Sequence, residues 1–428
     1  MKQWSRLLVV VAGTIAAAVA QGCVLDTGDL EDEEELESTS SEFAADSCSS
    51  EPAPKCPATS APEGKGLVDI NRCAFPLSES FGSIPALSGL EQITTRVSLQ
   101  QVLGDLNRTA KGTKSIKGSP AGVVRGFAWE SDDDNSKVWI PQGISGSADS
   151  VGGNIGGKNV VLVSWYHAPE KATNKDKPEK EKGVRIAIVD ASGKDAKYRF
   201  ALLVKPTGTA SAPSFQAVNS HAGGIVWFKN YLYVADTAKG IRVFDMNRIL
   251  KVEGDSTKSQ IGCSGGKCKA FDYRYVIPQV GEYKPLSKCG QRFSFMSLDR
   301  STNPPSLITG EFCDGESCPK LSGRLFRWEL NPSNGRINRA YPIKAWLMGQ
   351  SHVQGGAADG NLFYLTSSKP AGHKGALYRV TAGKSKTSQW AEGPEDLMID
   401  RNNDLIWSLG EYKPRTFFAV KQSSYPKP

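Results

Sequence analysis

Several signatures of common enzyme classes are missing from this 428-residue chain. It has no G-x-S-x-G nucleophile elbow, no H-E-x-x-H zinc motif, no P-loop and no Rossmann glycine fingerprint. Only four histidines are present for acid–base or metal chemistry. On sequence grounds these absences exclude the best-known hydrolase, zinc-protease, nucleotide-binding and dinucleotide-binding classes, so a function has to come from another set of residues.

Long apolar runs are also lacking, apart from one near the N-terminus. Lys2 and Arg6 precede residues 7–20, which are too few and too rich in small side chains for a transmembrane helix. They predict an export signal over residues 1–22. The run ends either in a signal-peptidase site or in a bacterial lipobox that would lipidate Cys23. The protein is therefore predicted to be extracellular, or to contact the membrane only through a lipid anchor.

Nine cysteines are an odd number for an exported protein, and lipidation of Cys23 would leave eight. Cys289 needs a distant partner, for which Cys73 is one candidate. Two further pairs each enclose four residues, and an oxidising compartment favours disulfides over zinc at that spacing. These pairs are Cys263 with Cys268 and Cys313 with Cys318.

Basic residues are absent from residues 26–51, which hold eleven carboxylates. Residues 23–66 are therefore predicted to be a disordered acidic and Pro/Ser-rich tether. Residues 52–428 carry 50 basic and 34 acidic residues, a formal net charge of +16. This charge predicts an anionic polysaccharide or cell-wall polymer as partner, with a scattered solubility surface as the alternative. Specific nucleic-acid binding is not predicted, because loops 111–118 and 171–183 lack interleaved aromatic residues.

Helical periodicity is scarce. One stretch, VSLQQVLGDLN, predicts a helix in a lead-in over residues 67–130, with Ser98 as N-cap and Gln101 three residues later. The apolar face of the helix consists of Leu99, Val102, Leu103 and Leu106.

Just beyond the lead-in, the sequence DDDN at residues 132–135 predicts a solvated turn.

After residue 130, short apolar strands alternate with turns. Each unit has two strands and then a third of the form shared by residues 240–245, 323–328 and 375–380. Sheets repeated in this way around an axis form a β-propeller. The sequence therefore predicts an all-β, β-propeller fold over residues 131–428, with five clear units and six or seven left open. The units begin near Gln142, His221, Phe293, Gln354 and Glu395.

Two stretches carry a resemblance to known proteins. HAGGI with YLYVADT and GIRVFDM, preceded by WIPQGI and VLVSWYH, resembles exported bacterial β-propeller proteins that are largely uncharacterised. GPEDLMIDRNNDLIW is similar to sheet openings in the gluconolactonase and paraoxonase-like superfamily. That resemblance implies calcium in the central pore on inner-strand Glu and Asn side chains, and Glu395 matches it. Calcium is only weakly supported and no metal ligands are assigned, because the other openings have few anionic oxygens: Gln142, Gly223, Ser294 and Gln354.

Polar residues at the unit openings are predicted to meet at the mouth of the central channel. His221, Arg292 and Glu395 are the catalytic candidates, because a base and a cation beside a uronate serve β-elimination. His221 has a purely structural interpretation as well, as a hydrogen-bonding link between adjacent openings. The ligand-binding candidates are Gln142, Trp165, Tyr166, His167, His352 and Gln354.

These observations predict an exported propeller that binds an anionic glycan or similar surface ligand at its channel mouth. A polysaccharide lyase or metal-assisted hydrolase is the first alternative. A protein-interaction scaffold is the second, because propellers host many functions. The ligand's identity and the oligomeric state are left open by the sequence.

Overall fold

The computed structural model describes residues 43–50, 54–57, 60–61, 64, 66–169, 180–314 and 323–428. The predicted export signal, the lipidation candidate Cys23 and Cys318 lie outside this part of the chain, as do most of the acidic tether and of loop 171–183. None of the helices in the described ranges has the length and apolar character that crossing a membrane requires.

The lead-in contains strands as well as the predicted helix. Ser98 Oγ accepts a hydrogen bond from Gln101 N (3.2 Å), and Ser98 N donates to Gln101 Oε1 (2.7 Å), so the predicted capping box is confirmed. The helix ends at Leu103, before Leu106. The elements are β1 (Val68–Asp69), β2 (Leu77–Phe81), α1 (Pro85–Ile93), β3 (Thr95–Val97), α2 (Leu99–Leu103), β4 (Arg108–Gly112) and β5 (Val123–Ala128).

The body begins with two sheets and an inserted hairpin. Sheet 1 comprises β6 (Trp139–Gly146), β7 (Val160–His167), β8 (Val184–Asp190), β9 (Ala196–Gly208) and β10 (Pro213–Ala217). The short helix α3 (Ser131–Asp134) precedes β6, and α4 (Ser147–Ser150) follows it. Sheet 2 and its insertion comprise β11 (Ile225–Phe228), β12 (Tyr231–Asp236), β13 (Gly240–Asp245), β14 (Ile249–Lys251), β15 (Ile261–Ser264), β16 (Lys267–Ala270) and β17 (Tyr275–Pro285). The pair β15–β16 forms the hairpin.

Three further sheets follow. Sheet 3 comprises β18 (Phe295–Asp299), β19 (Ser306–Gly310), β20 (Arg324–Glu329) and β21 (Lys344–Leu347). Sheet 4 comprises β22 (Val353–Asp359), β23 (Leu362–Ser367), β24 (Ala376–Thr381) and β25 (Lys384–Gln389). Sheet 5 comprises β26 (Pro394–Asp400), β27 (Leu405–Gly410) and β28 (Thr416–Lys421).

The first strand of each sheet lies innermost, and these strands contact one another around a ring. In order they are β6, β11, β18, β22 and β26, and β26 returns to contact β6. Within each sheet the strands that follow pair antiparallel outward from the inner strand. This radial arrangement confirms the predicted all-β propeller.

Apolar clusters fill the spaces between neighbouring sheets. Leu162 on β7 packs in the cluster that contains Trp227 of sheet 2. The next residue along β7, Val163, faces the other way and packs in the cluster that contains Trp407 of sheet 5. Side chains alternate along a strand, so these two contacts show that both faces of sheet 1 are buried. Burial on both faces explains why NVVLVSWYH is an almost continuous apolar run.

Strands from both ends of the chain complete the ring. In sheet 5, β28 pairs with β5 of the lead-in, with Phe417 opposite Phe127. The lead-in also adds β2 to the edge of sheet 2 and β1 to the edge of sheet 3. Since β4 also pairs with β9 of sheet 1, the segment before residue 131 contributes strands to four sheets.

Three disulfides join described residues. The predicted pair Cys263–Cys268 is present and links opposite positions of β15 and β16. Cys73, however, bonds with Cys48, and Cys289 bonds with Cys56. The suggested pairing of Cys289 with Cys73 is therefore wrong. Each of them bonds instead with a cysteine of the predicted tether, and sequence spacing does not indicate these partners. The pair Cys313–Cys318 involves a residue outside the described part.

The inner strands approach so closely that their openings require glycine. A Cβ atom on Gly223 would lie 2.1 Å from the carbonyl oxygen of Ser294 in the next sheet. On Gly224 it would lie 2.1 Å from the backbone nitrogen of Met296. These glycines next to His221 thus admit the neighbouring strand, and the backbone contact closes the ring here.

Replacing Gly224 with alanine should therefore destabilise the protein strongly. The added methyl group meets backbone atoms that cannot rotate away, and we expect a loss of about 3 kcal/mol in unfolding free energy, measured by urea denaturation. Gly153→Ala is the matched control, because no atom lies within 4 Å of its Cβ position. Equal urea midpoints for the two variants would contradict this account of the hub.

Candidate functional site

The predicted site residues lie at the openings of the inner strands. Gln142, Gln354 and Glu395 each coincide with a shift in strand register, on β6, β22 and β26 respectively. Such bulges redirect side chains and are common near functional sites. Gln142 and Glu395 are nevertheless buried, whereas Gln354 is half-buried. Gln142 Nε2 donates to the carbonyl oxygen of Pro141 (2.9 Å).

His221 packs against an aromatic ring of the neighbouring sheet. Its imidazole centroid lies 4.2 Å from that of Tyr166 on β7, and both side chains are half-buried. The contact joins the approach to β11 with sheet 1. His221 thus packs against sheet 1, while its predicted roles as a base and as a hydrogen-bonding link both stay predictions.

Trp165 and His167 lie on the opposite face of β7 from Tyr166. Trp165 is fully buried among Trp129 and Phe200, with ring centroids 5.1 and 5.7 Å away. His167 is also buried, and its Nδ1 accepts a hydrogen bond from Lys182 N (3.2 Å). The three consecutive residues do not form one exposed surface, because side chains alternate along a strand.

Arg292 and His352 lie just before β18 and β22, and both are half-buried. The backbone nitrogen of Arg292 donates to Glu311 Oε1 (2.8 Å), a carboxylate that also pairs with Arg324. His352 has a left-handed backbone, with φ of 56°, and its ring lies 6.2 Å from that of Phe312. Thus His221, Arg292 and Glu395 belong to three different sheets, and their joint catalytic role stays a prediction.

Asp396 occupies the hub and links three sheets. From β26, its Oδ2 accepts hydrogen bonds from the backbone nitrogens of Ile144 on β6 (3.2 Å) and Ile225 on β11 (3.3 Å). The side chain is fully buried. Burial raises the pKa of this carboxyl well above its usual range, against the lowering effect of the amide donors. At the depth of Asp396, the centre of the ring is therefore occupied by a buried, hydrogen-bonded carboxyl group.

A second buried carboxyl, Asp149, lies in α4, directly after the end of β6. It accepts a hydrogen bond from Ser145 Oγ (2.6 Å), and Arg300 Nε donates to its backbone oxygen (2.8 Å). Burial raises the pKa of Asp149 to about 7, although Ser145 and Arg300 act in the opposite direction. Asp149 is therefore a group that can titrate near neutral pH inside the propeller.

A cavity lined by cationic and aromatic side chains lies over sheet 1, beside the hub. It has a volume of about 240 Å³ and is called here the basic pocket. It is bounded by the starts of β6 and β8 and by residues that flank the β15–β16 hairpin. Because β7 is antiparallel to β6 and β8, both strands begin at the same edge, so the pocket lies on the channel-mouth side.

Positive charge and aromatic rings dominate the lining. Among the lining residues, the described part of the chain contributes a single carboxylate, that of Asp272. Four aromatic residues contribute apolar walls: Trp139, Phe200, Phe271 and Tyr273. The cationic residues are Arg108, Lys182, Arg185, Arg199, Lys258 and Arg274.

Arg185 organises the inner wall. Its guanidinium carbon lies 3.6 Å from the Phe200 ring centroid and 4.3 Å from that of Trp139. Its Nη2 donates to Asp133 Oδ1 (3.2 Å), and both side chains are buried. The planar guanidinium is thus held by ring stacking and by an ion pair.

The prediction of a solvated turn at residues 132–135 is wrong for Asp133. Asp133 lies in the short helix α3, is buried, and accepts a hydrogen bond from Tyr198 Oη (2.5 Å) as well as from Arg185. Acidic composition suggested exposure, but the carboxylate is balanced by an arginine from a distant strand.

The outer wall is held by a shared carboxylate. Asp105 Oδ1 lies 3.3 Å from Arg199 Nη2, and its Oδ2 lies 3.4 Å from Arg274 Nε and accepts a hydrogen bond from Tyr275 Oη (2.7 Å). Arg274 is nearly half exposed and Lys258 is exposed. These two side chains are therefore available at the rim.

The sequence pattern alone did not predict this pocket. In FDYRYVIP (271–278), β17 begins only at Tyr275, so residues 271–274 precede the strand. The alternation of aromatic and charged residues before it was a usable signal. So was Arg185, a cation in the otherwise apolar strand VRIAIVD.

No metal site accompanies these features in the described ranges, where no three His, Cys, Asp or Glu side chains form a group that could hold an ion. Calcium binding stays a prediction from the sequence resemblance.

Comparison with known proteins gives no family. No protein-family model matches the chain, and no curated protein matches it. The resemblance to the gluconolactonase and paraoxonase-like superfamily thus stays a prediction.

Several solved structures are similar over much of the chain. The GH43_1 enzyme from Xanthomonas citri is 7% identical, with 79% of this chain and 93% of that chain covered and a TM-score of 0.31. A subtype N10 neuraminidase-like protein of A/little yellow-shouldered bat/Guatemala is 8% identical, over 66% and 98%, with a TM-score of 0.29. Drosophila Semaphorin 1b is 8% identical, over 83% and 88%, with a TM-score of 0.26. These scores are too low to carry a functional argument, and the fold assignment depends on the sheet arrangement.

Titration of Asp149 should make stability depend on pH. Between its usual pKa of 3.8 and the folded value of about 7, the folded state retains a proton that the unfolded state has released. Its contribution to stability therefore falls as pH rises through this window, by about 1.4 kcal/mol per pH unit. Relative to wild type, Asp149→Asn should gain stability from pH 4 to pH 7 in urea denaturation. The exposed control Asp69→Asn should run parallel to wild type; a parallel profile for Asp149→Asn would disprove the assignment.

Proposed function

We propose that this protein is an exported β-propeller that binds an anionic glycan in the basic pocket. The observation that carries the proposal is the convergence of six cationic side chains and four aromatic rings on one cavity of about 240 Å³. Guanidinium and ammonium groups form charge-assisted hydrogen bonds with carboxylates and sulfates. Aromatic walls with a few oriented polar groups are typical of small-molecule sites.

The charge of the body supports this proposal. With a formal net charge of +16, residues 52–428 attract polyanions over a long range, and the basic pocket supplies specific contacts at short range. The pocket is a better candidate than the hub itself, because Gln142 and Glu395 are buried there. Export accords with the disulfides, which persist in oxidising compartments.

A second candidate function is β-elimination at the channel mouth. The observation that favours it is the half-buried His221–Tyr166 pair, which brings an imidazole and a phenol together at the edge that also carries the basic pocket. Either group can transfer protons, and a nearby cation would stabilise the enolate formed from a uronate.

Removing the rim cations should weaken specific binding. For Lys258→Ala with Arg274→Ala, we expect at least a tenfold weaker affinity for an oligogalacturonate in isothermal titration calorimetry, because charge-assisted hydrogen bonds are lost. Lys384→Ala with Lys386→Ala removes the same charge from the exposed strand β25 and should bind like wild type. Equal losses in both double variants would mean nonspecific attraction and would refute the pocket.

The enzyme candidate has its own test. Incubation of the protein with polygalacturonate should produce ultraviolet absorbance from unsaturated uronates, and His221→Ala should remove at least 99% of that rate. His373→Ala, in an exposed loop, should retain it. Absence of product with wild-type protein would eliminate this candidate and leave the binding proposal intact.

A further inference from the structure

Asp272 is an anomaly in the basic pocket. It is exposed, and its carboxylate makes no hydrogen bond or ion pair with any residue that the structure describes. The other acidic groups nearby are all engaged: Asp105 with Arg199 and Arg274, and Asp133 with Arg185. Asp272 thus lines the basic pocket without serving as a structural counter-ion.

The backbone holds this carboxylate at the rim in an uncommon conformation. Phe271 and Asp272 have φ of 50° and 79°, in the left-handed region that is disfavoured for residues other than glycine, asparagine and aspartate. Burial of the Phe271 ring anchors the turn. Hydrogen bonds from Phe271 N to Gln260 O (2.8 Å) and from Tyr273 N to Ala270 O (2.7 Å) fix it on both sides. Strain held in this way is typical of ligand clamps.

The chemistry of such a carboxylate in a cationic pocket is selective. It repels a bare anion and so weakens binding of inorganic ions. It accepts hydrogen bonds from hydroxyl groups, which a sugar acid carries and an inorganic anion such as sulfate lacks. A site built to bind hydroxyl groups discriminates strongly against ligands without them.

We propose that Asp272 is a specificity-determining residue that recognises sugar hydroxyl groups, so that the basic pocket selects a single sugar-acid residue over simple oxyanions. This inference depends on the proposed function and deepens it. The cavity volume of about 240 Å³ supports the size, because it lies below the range of about 300–1,000 Å³ that holds drug-sized ligands.

The test compares two small ligands, potassium glucuronate and potassium sulfate, by isothermal titration calorimetry at constant ionic strength. The informative quantity is the ratio of their affinities, because a change in pocket charge affects both ligands. For Asp272→Asn, which tolerates the left-handed backbone, we expect the preference for glucuronate to fall about tenfold. Asp272→Gly keeps the backbone and removes the acceptor, so its preference should fall at least as far.

Asp69→Asn is the matched control, because it removes one exposed carboxylate from β1 on sheet 3. An unchanged affinity ratio in both Asp272 variants, or an equal change in the control, would overturn the role of Asp272. If wild-type protein bound neither ligand, or if Lys258→Ala with Arg274→Ala bound both like wild type, the proposed function itself would fail.

Discussion

The close approach of the inner strands at the hub is the constraint on which the rest of the structure depends. Gly223 and Gly224 let the approach to β11 lie directly against the opening of β18. Asp396 then adds hydrogen bonds from sheet 5 to sheets 1 and 2. A buried carboxylate that accepts backbone hydrogen bonds compensates for amides that a bulged strand leaves without a partner. The ring therefore closes through polar backbone contacts as well as apolar packing.

Closure of the ring determines where chemistry can occur. Since the hub is filled at the level of Asp396, the polar residues at the strand openings meet around a packed centre. The basic pocket lies outward, over sheet 1, where the insertion between β14 and β17 adds a second wall. A propeller presents loops and strand ends at its mouth, so an insertion of this kind can create a site without disturbing the sheets.

Most charges near the basic pocket are paired, and the pairing gives them different roles. Arg185 is buried and held by Asp133 and by aromatic rings, so it shapes the wall and contributes positive potential. Arg274 and Lys258 lie at the exposed rim, where a ligand can reach them. Buried ion pairs add more to geometry than to stability, because desolvation offsets much of the attraction.

The sequence by itself determined the strand pattern, the propeller class, the capped helix at Ser98 and the local disulfide Cys263–Cys268, because these depend on periodicity and short spacing. Only the tertiary structure decided what depends on distant contacts. It buried Asp133, which local sequence placed in a solvated turn, and Trp165, which was a ligand-binding candidate, and joined Cys56 to Cys289 across 233 residues. It also brought Arg108, Arg185 and Arg274 around one cavity, and no local pattern encodes that convergence because each residue comes from a different part of the chain.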